Sequence, residues 1–305
     1  MAKVSKLALA MGLAAVAQVA AAQGGIKAIT EFTCSSCKEW NQPQKPFKIY
    51  GNTYYVGTKE LSALLVTSPK GHILLDGALP QSAPLIEANI KTLGFRMRDV
   101  KLIVNSHEHF DHAGGIAALQ RASGAKVAAS PVGARVLRDG AIGKDDPQWE
   151  AGQDPRVESV AVVSEVKDGE VLKVGPLALT AHLTPAHSPG GTTWSWQSCE
   201  KGRCLDVVYA DSLTAVSADG YRFTGAAGSP DLTPAFMAVI DKVAALKCDI
   251  VVSTHPGFTD TMQKFAAMTP ASNPFIDANS CKNYAAASRV RLEKRIATER
   301  ASAPK

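Results

Sequence analysis

The chain is 305 residues long, 46% hydrophobic and 20% charged, a balance that excludes intrinsic disorder, a collagen-like repeat and a disulfide-only miniprotein. Its 33 Lys and Arg stand against 28 Asp and Glu, and the net charge of +5 is too mild to point to a nucleic-acid partner. At about 150 residues per domain the length would allow two, but α/β sandwiches of this size fold as one unit, and one domain is expected.

Lys3 and Lys6 precede an apolar run over 7–19 and the triplet Ala20-Ala21-Ala22. That is the pattern of a secretory signal peptide over 1–22, with the mature domain over 23–305 starting at Gln23. The run is shorter than the roughly 20 apolar residues of a membrane span, and no later stretch reaches that length. The mature protein is therefore expected in the periplasm, without a membrane partner and as a monomer.

Strands are predicted over 47–50, 53–56, 61–67 and 72–75, punctuated by Gly51-Asn52 and Pro69-Lys70-Gly71, as an antiparallel meander. Helical periodicity follows at Leu85, Ile86, Asn89, Ile90 and Leu93, then a buried-type strand over 100–104 and a helix over 115–122. The order then repeats, with strands over 171–174, 177–183, 192–197 and 207–209, a helix over 234–246 and a strand over 250–253. Two similar halves predict an α/β protein in which two sheets pack face to face with helices outside. The last helix, over 281–300, gathers Cys281, Ala285, Ser288, Leu292 and Ile296 on one stripe and leaves its basic residues to solvent.

Six cysteines in an exported chain point to disulfides. Cys199 and Cys204 flank a turn-like Glu-Lys-Gly-Arg stretch, Cys34 and Cys37 are local neighbours, and Cys248 and Cys281 sit at a helix end and a helix start. These spacings favour those three pairs. Other connectivities stay open, as do a redox role for Cys34-Ser-Ser-Cys37 and a cysteine zinc site.

The chemistry concentrates where the strand over 100–104 runs out, in Ser106-His107-Glu108-His109-Phe110-Asp111-His112-Ala113-Gly114-Gly115. Imidazole nitrogen and carboxylate oxygen are preferred zinc ligands, and a loop leaving a buried strand turns several of them onto one point. Alternation places His107 and His109 on one side and Glu108 on the other, so Glu108 is read as a non-ligand. His187 and His255 stand in loops after later strands, and Asp211-Ser212 adds polar groups to the same rim. The remaining histidines, His72 at a strand start and His182 inside a strand, are read as structural. The polar loop over 143–155 brings Gln148 and Trp149 to the flank of the pocket.

His107-x-His109-x-Asp111-His112, with His187, Asp211-Ser212 and His255, resembles the metallo-β-lactamase superfamily. Pro185-Ala186-His187-Ser188-Pro189-Gly190-Gly191-Thr192-Thr193-Trp194, Tyr209-Ala210-Asp211-Ser212-Leu213-Thr214-Ala215-Val216 and His255-Pro256-Gly257 make it most similar to the class B, subclass 3 enzymes. Over essentially the whole mature chain, the resemblance implies a four-layer αβ/βα sandwich with two zinc ions. It assigns His107, His109 and His187 to the first and Asp111, His112 and His255 to the second. The implied reaction is attack of a metal-bridging hydroxide on the ring carbonyl of penicillins, cephalosporins and carbapenems, with Asp111 also orienting the hydroxide. Ser212 and Thr214 match positions whose hydroxyls contact the substrate carboxylate, and Gln148 is placed with them. Glu108 stands where a small residue is usual. A second reading stays open: if Asp211 bridges both metals, the site is that of a glyoxalase-II-like thioesterase or a lactonase. Export argues against it, since glutathione thioesters are chiefly cytosolic.

Overall fold

The computed structural model describes residues 1, 25–26, 32–152, 157–226 and 229–302. The leader-like segment over 1–22 lies, Met1 aside, outside the described residues, as do residues 153–155 of the polar loop.

The first sheet runs in the order β1 (Phe47–Tyr50), β2 (Thr53–Tyr55), β3 (Leu64–Val66), β4 (His72–Leu75), β5 (Val100–Val104), β6 (Lys126–Ala129) and β7 (Val163–Glu165). Pairing is antiparallel as far as β4 and parallel from β4 to β7. Short turns suffice for the antiparallel part, whereas parallel neighbours need crossovers. Helix α2 (Ala83–Thr92) makes the first crossover, α3 (Phe110–Ala113) with α4 (Ile116–Ser123) the second, and α5 (Pro131–Asp139) the third. A four-residue helix, α1 (Cys37–Trp40), precedes the sheet.

The strand expected over 61–67 contracts to Leu64–Val66. Residues 56–63 turn instead, closed by Val56 N–H to the Ala63 carbonyl at 2.8 Å and Thr58 N–H to the Leu61 carbonyl at 3.0 Å. Gly57 permits this turn, because a Cβ there would lie 2.3 Å from the Leu61 carbonyl oxygen. Strands β6 and β7 and helix α5 were not anticipated from the sequence. Helix α5 does carry start signals: Ser130 Oγ accepts from Gly133 N–H at 3.1 Å, and Pro131 occupies the first turn.

The second sheet has the order β12 (Ile250–Ser253), β11 (Arg203–Ala210), β10 (Thr192–Glu200), β9 (Leu177–Leu183), β8 (Val171–Val174). Strands β8 to β11 form an antiparallel meander, and α6 (Thr233–Ala244) carries the chain across to β12, which lies parallel to β11. Cys199 faces Cys204 across the β10/β11 hairpin, and the two are disulfide-linked. Disulfides also join Cys34 to Cys37 and Cys248 to Cys281.

Apolar residues on the inner faces, among them Leu64, Ile73, Val104, Leu179, Trp194, Val207 and Val252, make one buried core between the sheets. On the outside of the first sheet Ile86, Ile90, Ile116 and Leu119 cover Leu74, Ile103 and Val127. On the outside of the second, Phe236 and Ile240 of α6 and Tyr284 and Leu292 of α8 (Ser280–Ala301) cover Val208 and Val251. Each such side chain contributes about 1.5–3 kcal/mol when fully buried. The layers are thus helix, sheet, sheet, helix. A short helix, α7 (Thr261–Ala266), links β12 toward α8. No helix among the described residues is long and apolar enough to cross a membrane.

Candidate metal centre

Strands β9, β11 and β12 run the same way, so the loops at their C-terminal ends share one rim. These loops carry His187, Asp211 to Thr214, and His255. The C-terminal end of β5 brings His107 and His109 to the same place, and the first turn of α3 adds Asp111 and His112. The β5 loop is anchored from below by Asp76. Its Oδ1 accepts from Ser106 N–H (2.7 Å) and Asn105 Nδ2 (3.1 Å), and its Oδ2 from Ser106 Oγ (2.6 Å) and Tyr209 OH (2.8 Å). Asp76 sits at φ 62°, in the left-handed region, a strained conformation that the surrounding hydrogen bonds hold in place.

Two groups of ligand atoms converge. Asp111 Oδ2 lies 3.3 Å from both His112 Nε2 and His255 Nε2, and these two nitrogens are 3.2 Å apart. Ligands at about 2.0–2.1 Å from a tetrahedral zinc ion are about 3.3–3.4 Å apart, so this triangle has the size of one face of a zinc site. In the other group, His109 Nδ1 and His187 Nε2 are 3.2 Å apart, and the ligand atoms of His107, His109 and His187 lie within 4.8 Å of one another. His107 Nε2 is fully buried without a hydrogen-bond partner. Buried polar atoms are almost always satisfied, and a cation among inward-facing lone pairs satisfies this one. The donor set fits zinc.

In the first group the outward nitrogens are held by acceptors, the arrangement that fixes which nitrogen faces a metal. His107 Nδ1 meets Asp211 Oδ1 at 2.7 Å, His109 Nε2 meets Asp146 Oδ2 at 2.9 Å, and His187 Nδ1 donates to the Thr214 carbonyl at 2.8 Å. Asp211 thus meets the outward nitrogen of His107 through Oδ1, while its Oδ2 is buried without a hydrogen-bond partner.

Burial and the neighbouring imidazoles push His107 well below the ordinary histidine range, and the same causes bring His187 down to about 3. Burial also opposes charge on His109, but the Asp146 carboxylate outweighs it and the pKa rises. Burial would raise Asp111, yet His112 and His255 hold its carboxyl well below the usual carboxylate range. An ionised Asp111 and neutral His107 and His187 suit ligation, whereas His109, with its raised pKa, must give up a proton to bind a metal.

Glu108 points away from both groups. Its carboxylate accepts from Ser188 Oγ and Gly190 N–H, each at 3.0 Å, and so ties the first histidine loop to the loop of His187. Gly190 is required there, since a Cβ would lie 2.1 Å from Glu108 Oε2.

The hydroxyls expected to meet substrate already have protein partners: Ser212 Oγ is 2.8 Å from Thr254 Oγ1, and Thr214 Oγ1 is 3.1 Å from His187 Nδ1. Gln148 Nε2 lies 3.3 Å from both His109 Nδ1 and His187 Nε2. Trp149 lies half-buried with the Lys144 ammonium 5.4 Å from its ring centroid. His72 and His182 stand outside the cluster: Ser68 N–H donates to His72 Nδ1 at 3.4 Å, and His182 Nε2 pairs with Ser195 Oγ at 2.8 Å. His182 lines a separate groove of about 910 Å³ with Thr180, Ser195 and Gln197, which holds none of the clustered ligands.

Asp76, Asp146 and Trp40 were not singled out from the sequence. Trp40, at the end of α1, places its ring 5.5 Å from that of His255 and walls the second group.

Residues 60–255 match the Metallo-beta-lactamase superfamily. Among solved structures, the Rm3 metallo-beta-lactamase is 48% identical with a TM-score of 0.84, over 88% of this chain and 99% of that one. MEM-A1, a subclass B3 metallo-beta-lactamase from a soil metagenome library, is 49% identical with a TM-score of 0.82, over 87% of this chain and 100% of that one. BJP-1, a subclass B3 enzyme of Bradyrhizobium japonicum, is 32% identical with a TM-score of 0.79, over 88% of this chain and 99% of that one. A hydroxyacylglutathione hydrolase of Cereibacter sphaeroides (strain ATCC 17025 / ATH 2.4.3) is 26% identical over 201 residues, which span 65% of this chain and 63% of that protein. The matched segment, the sandwich and the two converging ligand groups together place the chain in the metallo-beta-lactamase superfamily, alongside members of subclass B3.

Proposed function

We propose that this chain is an exported dizinc hydrolase that opens the ring amide of β-lactams, including penicillins, cephalosporins and carbapenems. The observation that carries the reading is the pair of three-ligand groups, in a chain 48% identical to a metallo-beta-lactamase over 99% of that enzyme. His107, His109 and His187 would hold the first ion, and Asp111, His112 and His255 the second. Three protein ligands per ion leave an open position, as in catalytic zinc sites. Zinc bound there supplies Lewis acidity, lowering the pKa of water toward about 7 and polarising a carbonyl oxygen.

The protein's own part is positioning. Asp211, Asp146 and the Thr214 carbonyl aim the first-site imidazoles, Glu108 locks the two loops that carry them, and Asp111 offers a carboxylate that orients the attacking water. The Ser212 and Thr214 hydroxyls and the Gln148 amide are the contacts offered to substrate, with a β-lactam carboxylate the group they suit. The low, mixed charge of the chain suits a small-molecule substrate. A signal peptide over 1–22 would deliver the enzyme to the compartment in which β-lactams act.

The test is turnover of a chromogenic cephalosporin, a penicillin and a carbapenem by the purified mature chain. Dipicolinate or EDTA should abolish it, zinc should restore it, and clavulanate should have little effect. Turnover in a preparation shown to be metal-free overturns the metal mechanism. Hydrolysis of a glutathione thioester with no β-lactam turnover overturns the substrate class.

A further inference from the structure

Asp146 belongs to neither ligand group, yet it is only 3% exposed and both its oxygens are in use. Oδ2 lies 2.9 Å from His109 Nε2, and Oδ1 accepts from the Gln148 backbone N–H at 2.8 Å. The intervening Pro147 is gripped from the other side, its carbonyl accepting from Ala218 N–H at 2.9 Å. Ala218 follows Ser212 and Thr214 in the loop after β11. The Gln148 side chain ends with Nε2 3.3 Å from His109 Nδ1 and from His187 Nε2. One carboxylate therefore holds a first-group histidine and the backbone of the residue whose amide overhangs that group.

The geometry points to Asp146 as a positioning residue with two dependents: the tautomer of His109 that presents Nδ1 inward, and the placement of the Gln148 amide above the first metal site. The assignment rests on the dizinc reading given above. A proton on His109 Nε2 directed at a carboxylate leaves the Nδ1 lone pair free to ligate and fixes the ring's rotation. An amide at position 146 breaks this rule. If its oxygen keeps the bond to Gln148 N–H, its NH₂ faces His109 Nε2, which must then accept, and the proton moves to Nδ1, where it blocks ligation. The loop over 143–152 and the first metal site are in this way set by the same side chain.

The experiment compares the full mature chain with Asp146→Asn, Asp146→Ala and Gln148→Ala. Zinc affinity is read by competition with a chromophoric chelator, cobalt(II) absorption reports the ligand field, and circular dichroism checks folding. Asp146→Asn should weaken one of two zinc ions by about 10- to 100-fold and change the cobalt spectrum, leaving the other ion in place. Asp146→Ala should do the same and also raise KM, because the Gln148 backbone loses its anchor. Gln148→Ala should raise KM with both zinc affinities intact. Asp146→Ala carries no misplaced donor, so it decides the matter if the asparagine variant fails to fold. Folded Asp146 variants that bind both ions as tightly as the parent overturn the proposal alone. A parent chain that binds no zinc overturns the dizinc reading and this proposal with it.

Discussion

At His187 the backbone and the side chain of one residue have separable jobs. The Thr214 carbonyl accepts from His187 Nδ1 at 2.8 Å, while its hydroxyl sits 3.1 Å from the same nitrogen. Thr214→Ala keeps the carbonyl, so the ligand stays aimed and only a hydroxyl is lost. A hydrogen bond to a charged group contributes about 1.5–3 kcal/mol, so Thr214→Ala and Ser212→Ala should each lower kcat/KM for carboxylated β-lactams by about ten- to hundred-fold. The loss should appear mainly in KM, with two zinc ions retained by metal analysis. An unaffected double variant would move carboxylate recognition to the Gln148 loop. By contrast, His187→Ala and His255→Ala each remove a ligand, and each variant should hold one tight zinc instead of two with kcat lowered by orders of magnitude. His72→Ala and His182→Ala should keep both ions.

The ligands themselves are legible in the sequence because three histidines and an aspartate fall within His107 to His112, a density no packing rule demands. Their supports are not, because Asp146 and His109 are 37 positions apart, and Glu108 and Gly190 82. Only the fold brings such residues together, and an isolated Asp in a polar loop carries no local signal.

Among the elements, the long strands and helices announce themselves by periodicity, and the two-sheet, helix-flanked architecture follows from their order. The stretch from β6 to β7 escapes for physical reasons. Lys126–Ala129 is four residues with no alternation, since a parallel strand between neighbours is buried on successive positions. Val163–Glu165 is a three-residue edge strand with two exposed side chains. Helix α8 shows the opposite case, with a stripe of Cys281, Ala285, Ser288 and Leu292 buried against the second sheet and α6. Its start is fixed by the Cys248–Cys281 disulfide, across 33 positions. In the chain-entropy account a loop of that size contributes about 3–4 kcal/mol by restricting the unfolded chain. Cys248→Ser with Cys281→Ser should therefore lower the unfolding free energy by about that amount in denaturant melts. The metal groups lie on other loops, so zinc content should stay unchanged. An unchanged denaturation midpoint would mean that packing alone seats α8.

On the scale of the whole molecule, each ligand group draws on both halves of the sandwich. The first takes His107 and His109 from the loop after β5 and His187 from the loop after β9; the second takes Asp111 and His112 from α3 and His255 from the loop after β12. A metal ion in either group is a further cross-link between sheets that also meet through their apolar faces and through hydrogen bonds such as Ser62 Oγ to the Ser253 carbonyl at 2.7 Å, Tyr209 OH to Asp76 Oδ2 at 2.8 Å and Gly190 N–H to Glu108 at 3.0 Å. Removing the ions leaves buried imidazoles and an ionised Asp111 facing one another, so the cost falls on the interface between the halves. A ligand that binds only the native state stabilises it by about 2.7 kcal/mol at a free concentration of 100 times its Kd and about 4.1 at 1,000 times. The chelator-stripped chain should therefore unfold at a lower temperature than the zinc-loaded one, and its Tm should climb with added zinc. His187→Ala or His255→Ala should retain only part of that climb, because one cross-link remains. Scanning fluorimetry across a zinc titration measures this directly. A Tm indifferent to zinc in the parent chain would show that the halves are held without the metals, and that the convergence of ligands serves chemistry alone.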